Sequence, residues 1–238
     1  MRELKKLPEL LLFDLDGTLA KTKEQIAYAA QATLKRFNYP IPSVDDVGRY
    51  IGNGINMMLV RSIFGKVDVS PDMLPADQMA KIREVFNEEY LNGLNANFAL
   101  YDGVYEGINK FKALGMKMAV VTNKAEMFAK PLIGYMGFND YFDYVLGGEV
   151  IKERKPDPFP LLYVCQKLGV DPHNAVMVGD SDNDVLAGQR ADMVTVAFTY
   201  GYNSGKDVRN CHPDYVFDRF GAFTDFVMSL KNNTESLD

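Results

Sequence analysis

Leu10-Leu11-Leu12-Phe13-Asp14-Leu15-Asp16-Gly17-Thr18-Leu19 is the stretch from which the rest of the chain can be read. Four consecutive apolar residues run into two carboxylates set one residue apart. A short apolar run bounded by glycine reads as a strand buried on both faces, as in a parallel sheet. Asp14 and Asp16 then stand just past the strand's carboxyl end, where open α/β sheets bind their ligands. Gly17 allows a tight turn there, and Thr18 can bond back to the local backbone.

Outward from this strand the chain divides into two textures. Lys21 to Phe37 is apolar at helical spacing and is broken by Tyr39-Pro-Ile-Pro. Ser43 with Asp45 and Asp46 reads as a fresh N-cap. Further helices are predicted over Ile55–Phe64 and Asp77–Leu91, and no strand-like alternation occurs between about residues 21 and 96. From Tyr101 onward strands alternate with helices. Strands are expected at Met116–Val121, Tyr144–Leu146, Ala175–Val178, Met193–Phe198 and Tyr215–Phe217. Helices are expected at Val104–Leu114, Ala125–Met136, Pro158–Leu168, Asp184–Arg190 and Phe220–Leu230. Such βαβ alternation predicts a doubly wound parallel sheet. The expected division is a catalytic core of residues 1–20 and 97–238, and an all-helical insert of residues 21–96 lying over the strand ends as a lid.

The chain has 238 residues, with 26 Lys+Arg against 32 Asp+Glu, a formal charge of −6. That mild acidity argues against nucleic acid or an anionic membrane as the main partner. No apolar run approaches membrane-spanning length, and the charged amino-terminal residues lack a signal-peptide core. The two cysteines, Cys165 and Cys211, form no CxxC pair and read as free thiols. A soluble cytoplasmic protein is therefore expected. Monomer and homodimer stay open.

Three strands end in polar groups, namely Asp14/Asp16, Thr122/Asn123 and Asp180/Asp184, and Lys155 precedes a helix in a fourth loop. All converge on one sheet edge. Asp14, Asp180 and the backbone carbonyl of Asp16 offer hard oxygen ligands of the kind Mg²⁺ takes. Crowded carboxylates cannot all ionise without a cation, and a metal-supported Asp14 is a competent nucleophile. Lys155 supplies a point charge and Thr122 a hydroxyl donor for a phosphoryl group. Asp16 is placed to protonate the leaving alcohol and then deprotonate water.

Asp14-Leu-Asp16-Gly-Thr, Thr122-Asn123, Lys155-Pro156 and Gly179-Asp180-Ser-Asp-Asn-Asp184 resemble, in order, the four motifs of the haloacid dehalogenase-like hydrolase superfamily. The resemblance implies a Rossmann-like core with an inserted helical cap domain. It makes Asp14 the nucleophile and Asp16 the acid/base, with Thr122, Asn123 and Lys155 on the phosphoryl group. It makes Asp14, Asp16 and Asp180 ligands of Mg²⁺, with Asp184 supporting them. Haloacid dehalogenases lack the second carboxylate, so Asp16 sets that activity aside. Ile51-Gly-Asn-Gly, Tyr101-Asp-Gly-Val, Ala119-Val-Val-Thr-Asn-Lys124 and Gly201-Tyr202-Asn203 further resemble phosphoglycolate phosphatases, which implies a small phosphate ester as substrate. A phosphomutase of the same architecture and a non-catalytic binding module are the alternatives.

Gly52-Asn53-Gly54 is either a plain turn or an anion-binding nest before a helix, placed to receive the substrate's distal group. Lys21-Thr22 stand where phosphoglycolate phosphatases carry Asp-Ser. That puts Lys21 at the hinge, as a further substrate contact. Arg49, Arg61 and Lys66 are expected to be solvated surface charges, Asp182 to face solvent, and Met57 and Met58 to pack in the cap.

Overall fold

The computed structural model describes residues 2–51 and 53–235, with side chains through Lys231. Six parallel strands form one sheet in the order β5-β4-β1-β6-β7-β8. They are β1 (Leu10–Phe13), β4 (Lys117–Ala125), β5 (Tyr144–Gly148), β6 (Ala175–Gly179), β7 (Val194–Phe198) and β8 (Tyr215–Phe217). The strand β1 is central, pairing Phe13 with Val120 on one side and with Val178 on the other. The chain adds β4 and β5 to one flank of β1, then returns to add β6, β7 and β8 to the other. The switch point thus lies between β1 and β6, and Asp14 and Asp180 stand directly beyond it.

The apolar run is explained by alternation across the sheet. Leu10 and Leu12 face a core shared with α7 (Phe159–Leu168) and α8 (Asp182–Arg190). Leu11 and Phe13 face the opposite core, with α5 (Val104–Ala113), α6 (Glu126–Tyr135) and α9 (Phe220–Glu235). Both faces are covered, so every β1 side chain is fully buried. Each such side chain contributes roughly 1.5–3 kcal/mol from burial.

Four helices follow β1: α1 (Lys23–Arg36), α2 (Val44–Tyr50), α3 (Ile55–Phe64) and α4 (Ala76–Gly93). The Ser43 cap forms as expected, as a capping box with Asp46. Their apolar faces continue the α5, α6 and α9 core, with the Tyr90 ring 4.8 Å from that of Phe128.

Two features depart from expectation. The helical segment leaves and returns through a two-residue ribbon, β2 (Ala20–Lys21) antiparallel to β3 (Ala99–Leu100), too short to leave a pattern in sequence. The strand β4 does not end at Val121 but runs to Ala125, with a register shift between Val121 and Ala125. The shift re-aims Thr122, Asn123 and Lys124 at the strand ends, as bulges beside sites do. Among the described residues, no helix is long and apolar enough to cross a membrane.

Candidate active site

Two acidic side chains are held by the turns around them. Asp180 follows β6 and accepts from Thr18 Oγ1 at 2.7 Å and from the Tyr202 backbone N–H at 2.8 Å. Gly17 and Gly201 close on it so tightly that a Cβ on either would lie 2.4 or 2.1 Å from its Oδ2. Gly201→Ala is therefore expected to displace this carboxylate and lower turnover by about 10–100-fold with the fold retained, a loss typical of disturbing the support of a metal ligand. Activity together with circular dichroism checks it. Asp184 is the third helical residue of α8, in a capping box with Ser181. Its Oδ2 accepts from the Asp180 and Ser181 backbone N–H groups and from Ser181 Oγ, at 3.2, 3.1 and 2.7 Å. Its Oδ1 is left for Lys155.

Lys155 is 2 % exposed. Its Nζ donates to the Val121 carbonyl at 2.6 Å and to Asp184 Oδ1 at 2.6 Å, and lies 2.9 Å from Asp14 Oδ1. Asp14 is placed by its own backbone N–H, which donates to the Val178 carbonyl at 3.0 Å. Asp14 Oδ1 is buried, and its contact among the described residues is the Lys155 ammonium. Burial pushes the Asp14 carboxyl up to about 6; Lys155 opposes this, and Asp184 and Asp16 add to it. Asp180 is raised well above the ordinary carboxylate range, by burial and then by Asp184 and Asp14. Burial pulls the Lys155 ammonium down, but Asp14 and Asp184 outweigh it and hold it above its ordinary value.

Oxygens of Asp14, Asp180 and Asp184 all lie within 4.8 Å of one another. With Asp16 there are four carboxylates here against two ammonium groups, Lys155 and Lys124, a formal excess of two negative charges when all are ionised. Three buried carboxylates offering hard oxygen donors close together, with a formal negative excess, suit a divalent cation.

Asp16 is served differently. Its Oδ1 accepts from Thr22 Oγ1 at 2.7 Å, and Lys124 Nζ reaches Oδ1 and Oδ2 at 3.0 and 3.1 Å. The Lys124 side chain is 3 % exposed and also meets the Tyr90 hydroxyl. Burial lowers its ammonium below the usual lysine range, with Asp16 opposing. Thr122 Oγ1 accepts from the Lys124 N–H at 3.2 Å, and Asn123 Nδ2 donates to the Lys155 carbonyl at 2.9 Å. Asn123 thus ties the β4 end to the lysine loop.

All these groups open onto one cavity of about 330 Å³, roofed by the helical segment through Ile26, Ile55, Met58 and Phe86. Asn53 and Gly54 line it, while Gly52 lies outside the described residues. Asn53 Oδ1 accepts from Arg61 Nη2 at 3.0 Å, and its carbonyl accepts from Arg154 at 3.1 Å. Arg61 is not the solvated charge expected. It is buried, spends two further N–H groups on the Tyr50 and Val67 carbonyls, and lines the cavity. Arg49 and Lys66 are exposed, and Met58 is buried, as expected. Asp182 is half-buried rather than solvent-facing: as the first residue of α8 it lines the cavity, and its N–H donates to Asn203 Oδ1. Lys21 is not brought in. Its ammonium lies 3.3 Å from Asp102 and over the Tyr101 ring, and it is not among the cavity's lining residues.

The chain is similar in sequence and fold to known proteins. A family model described as haloacid dehalogenase-like hydrolase matches residues 11–198. The chain is 40 % identical over 223 residues to the phosphoglycolate phosphatase of Psychrobacter arcticus, spanning 92 % of this chain and 96 % of that one. It is 38 % identical over 206 residues to that of Thiobacillus denitrificans, spanning 87 % and 89 %. The crystal structure of a predicted phosphoglycolate phosphatase from Haemophilus somnus superposes with a TM-score of 0.86 at 32 % identity, covering 94 % of this chain and 98 % of that one. With the four motifs gathered at one sheet edge and the family match running through all of them, this chain belongs to the haloacid dehalogenase-like hydrolases.

Proposed function

We propose that the chain is a Mg²⁺-dependent phosphatase of a small phosphorylated metabolite, with phosphoglycolate the first substrate, acting through an aspartyl-phosphate on Asp14. The observation that carries this reading is the Asp14–Lys155–Asp184 contact set beside Asp180, lining one cavity together with Asp16. The names of the relatives at 38–40 % identity point to the substrate. Residues 1–20 and 97–238 serve as the catalytic core and residues 21–96 as its cap. The free thiols Cys165 and Cys211 favour the cytoplasm.

In the first step an Asp14 oxygen bonds to phosphorus while the bond to the leaving oxygen breaks, and the Asp16 carboxyl gives that oxygen its proton. In the second, water bonds to phosphorus, the Asp14–phosphorus link breaks and Asp16 takes the water proton. Lys155 and Thr122 stabilise charge on the phosphoryl oxygens. Asp14, Asp180 and the Asp16 carbonyl would hold Mg²⁺, with Asp184 behind them, and the ion would supply positive charge against those oxygens. At the cap end, Arg61, Asn53 and the start of α3 favour a substrate with a second anionic group.

The test is phosphate release from a panel of small phosphate esters, with Mg²⁺ or with chelator, and Asp14→Asn as control. Preferential Mg²⁺-dependent hydrolysis of phosphoglycolate, lost in the variant, is the expected result. Broad weak hydrolysis would keep the mechanism and move the substrate elsewhere. Substrate loss without stoichiometric phosphate would favour the phosphomutase. No metal-dependent turnover of any ester would overturn the reading.

A further inference from the structure

The buried pair Lys124 and Tyr90 is not used by the mechanism above. We propose that both are positioning residues for Asp16, and that through them proton transfer depends on the helical segment being seated on the sheet. The inference rests on the acid/base role given to Asp16 under the proposed function.

Lys124 is the only group among the described residues within reach of both Asp16 oxygens, at 3.0 and 3.1 Å, whereas Thr22 bonds Oδ1 alone. One ammonium spanning two oxygens fixes the carboxylate's rotation as well as its place. The ammonium is itself fixed by the Tyr90 hydroxyl and lies 4.6 Å from the centre of the Tyr90 ring.

The direction of each bond follows from the donors available. Gln25 gives its amide N–H groups to the Leu94 and Ala96 carbonyls at 2.7 and 3.0 Å. Its Oε1 is thereby presented to Tyr90, whose single hydroxyl proton it accepts at 2.8 Å. The Tyr90 oxygen can then serve Lys124 only as an acceptor. Gln25 stands on α1 and Tyr90 on α4, while Lys124 and Asp16 stand at the ends of sheet strands. A fully satisfied buried chain of this kind rigidifies every member. If α1 and α4 lift away, Lys124 loses its anchor and Asp16 its fixed orientation.

Leaving-group dependence separates this role from simple substrate binding. An alkyl phosphate needs a proton on its departing oxygen, whereas p-nitrophenyl phosphate does not. The step is reported by kcat/KM, which stops at phosphoryl transfer to Asp14. Lys124→Gln is expected to lower kcat/KM about 100-fold for phosphoglycolate and less than about 5-fold for p-nitrophenyl phosphate, within the range general acids contribute. Tyr90→Phe keeps the ring and removes only the hydroxyl. It, and Gln25→Met, which does not touch Lys124, should show the same selective loss at about 3–10-fold.

Equal losses on both esters in Lys124→Gln would assign Lys124 to phosphoryl binding and overturn the proposal. If Lys124→Gln does not fold, unselective loss or no loss in Tyr90→Phe would overturn it equally. The underlying reading fails separately: wild type would then release phosphate from neither ester, or Asp16→Asn would lose both alike.

Discussion

Lys155→Met is expected to destabilise the fold by about 3–5 kcal/mol near pH 8 and to lower phosphate release about 1000-fold, the costs of unpairing a buried charge and of removing a phosphoryl-binding cation. Methionine fills nearly the same volume, so packing is largely kept. What is lost is the charge that meets Asp14 at 2.9 Å and Asp184 at 2.6 Å, and the hydrogen bond to the Val121 carbonyl. The folded ammonium is held above its ordinary 10.5, so its contribution is complete below that value and lost as pH rises through the raised one. Near pH 8 the contribution is whole. Asp14, already pushed up to about 6 with the lysine present, rises further without it. Protonation of the carboxyls then relieves the variant at lower pH. Urea unfolding near pH 8 and near pH 5 should show the smaller deficit at the lower value. Equal deficits would mean that shape, not charge, is the lysine's contribution.

What could be read from the sequence was whatever depends on period and spacing. The apolar run at β1 carries the signature of a strand covered on both faces. The polar residues after Phe13 and Gly179 follow strand ends, and those after Val121 occupy the irregular last part of β4, so topology brings them to one edge. Asp184 was visible as part of the polar run after β6, but its capping box with Ser181 was not: the helix begins at Asp182 rather than at Asp184. What escaped were contacts set by tertiary packing. Arg61 sits one turn from the end of α3, where an arginine is usually solvated, and only its contacts with the Tyr50 and Val67 carbonyls and the Asn53 side chain show that it is buried. Lys124 reads as the third member of a polar strand end, and nothing local pairs it with a tyrosine 34 residues earlier. Lys21 shows the opposite case: nearness in sequence to Asp14 suggested nearness in space, whereas its ammonium lies beside Asp102, at the start of the return from β3.

Asp14→Asn is expected to abolish turnover, about 10⁴-fold or more, because the amide cannot serve as the nucleophile. The same change should stabilise the metal-free fold. Raising the Asp14 carboxyl from 3.8 to about 6 means that the folded state holds its proton the more tightly. Stability from this group is therefore complete below about pH 4, falls as pH rises through about 6, and is absent above it, a penalty of about 2–3 kcal/mol at pH 7.5. Asparagine carries no such penalty, and Lys155 keeps Asp184 at 2.6 Å, so no charge is orphaned. In chelator at pH 7.5 the variant should melt about 4–10 °C above wild type, the difference closing toward pH 4. Added Mg²⁺ should close the difference at about 100 times its dissociation constant and reverse it at about 1,000 times. Binding to the folded state alone contributes about 2.7 kcal/mol at 100 times the dissociation constant, and wild type retains the full carboxylate set of Asp14, Asp180 and Asp184. A variant less stable than wild type without metal would show that the Lys155 pair outweighs desolvation. A wild type whose melting is indifferent to Mg²⁺ would remove the divalent cation from the site. The two results bear on different atoms: the first measures what it costs this fold to keep an ionised carboxylate beside Lys155, the second whether a cation meets that cost.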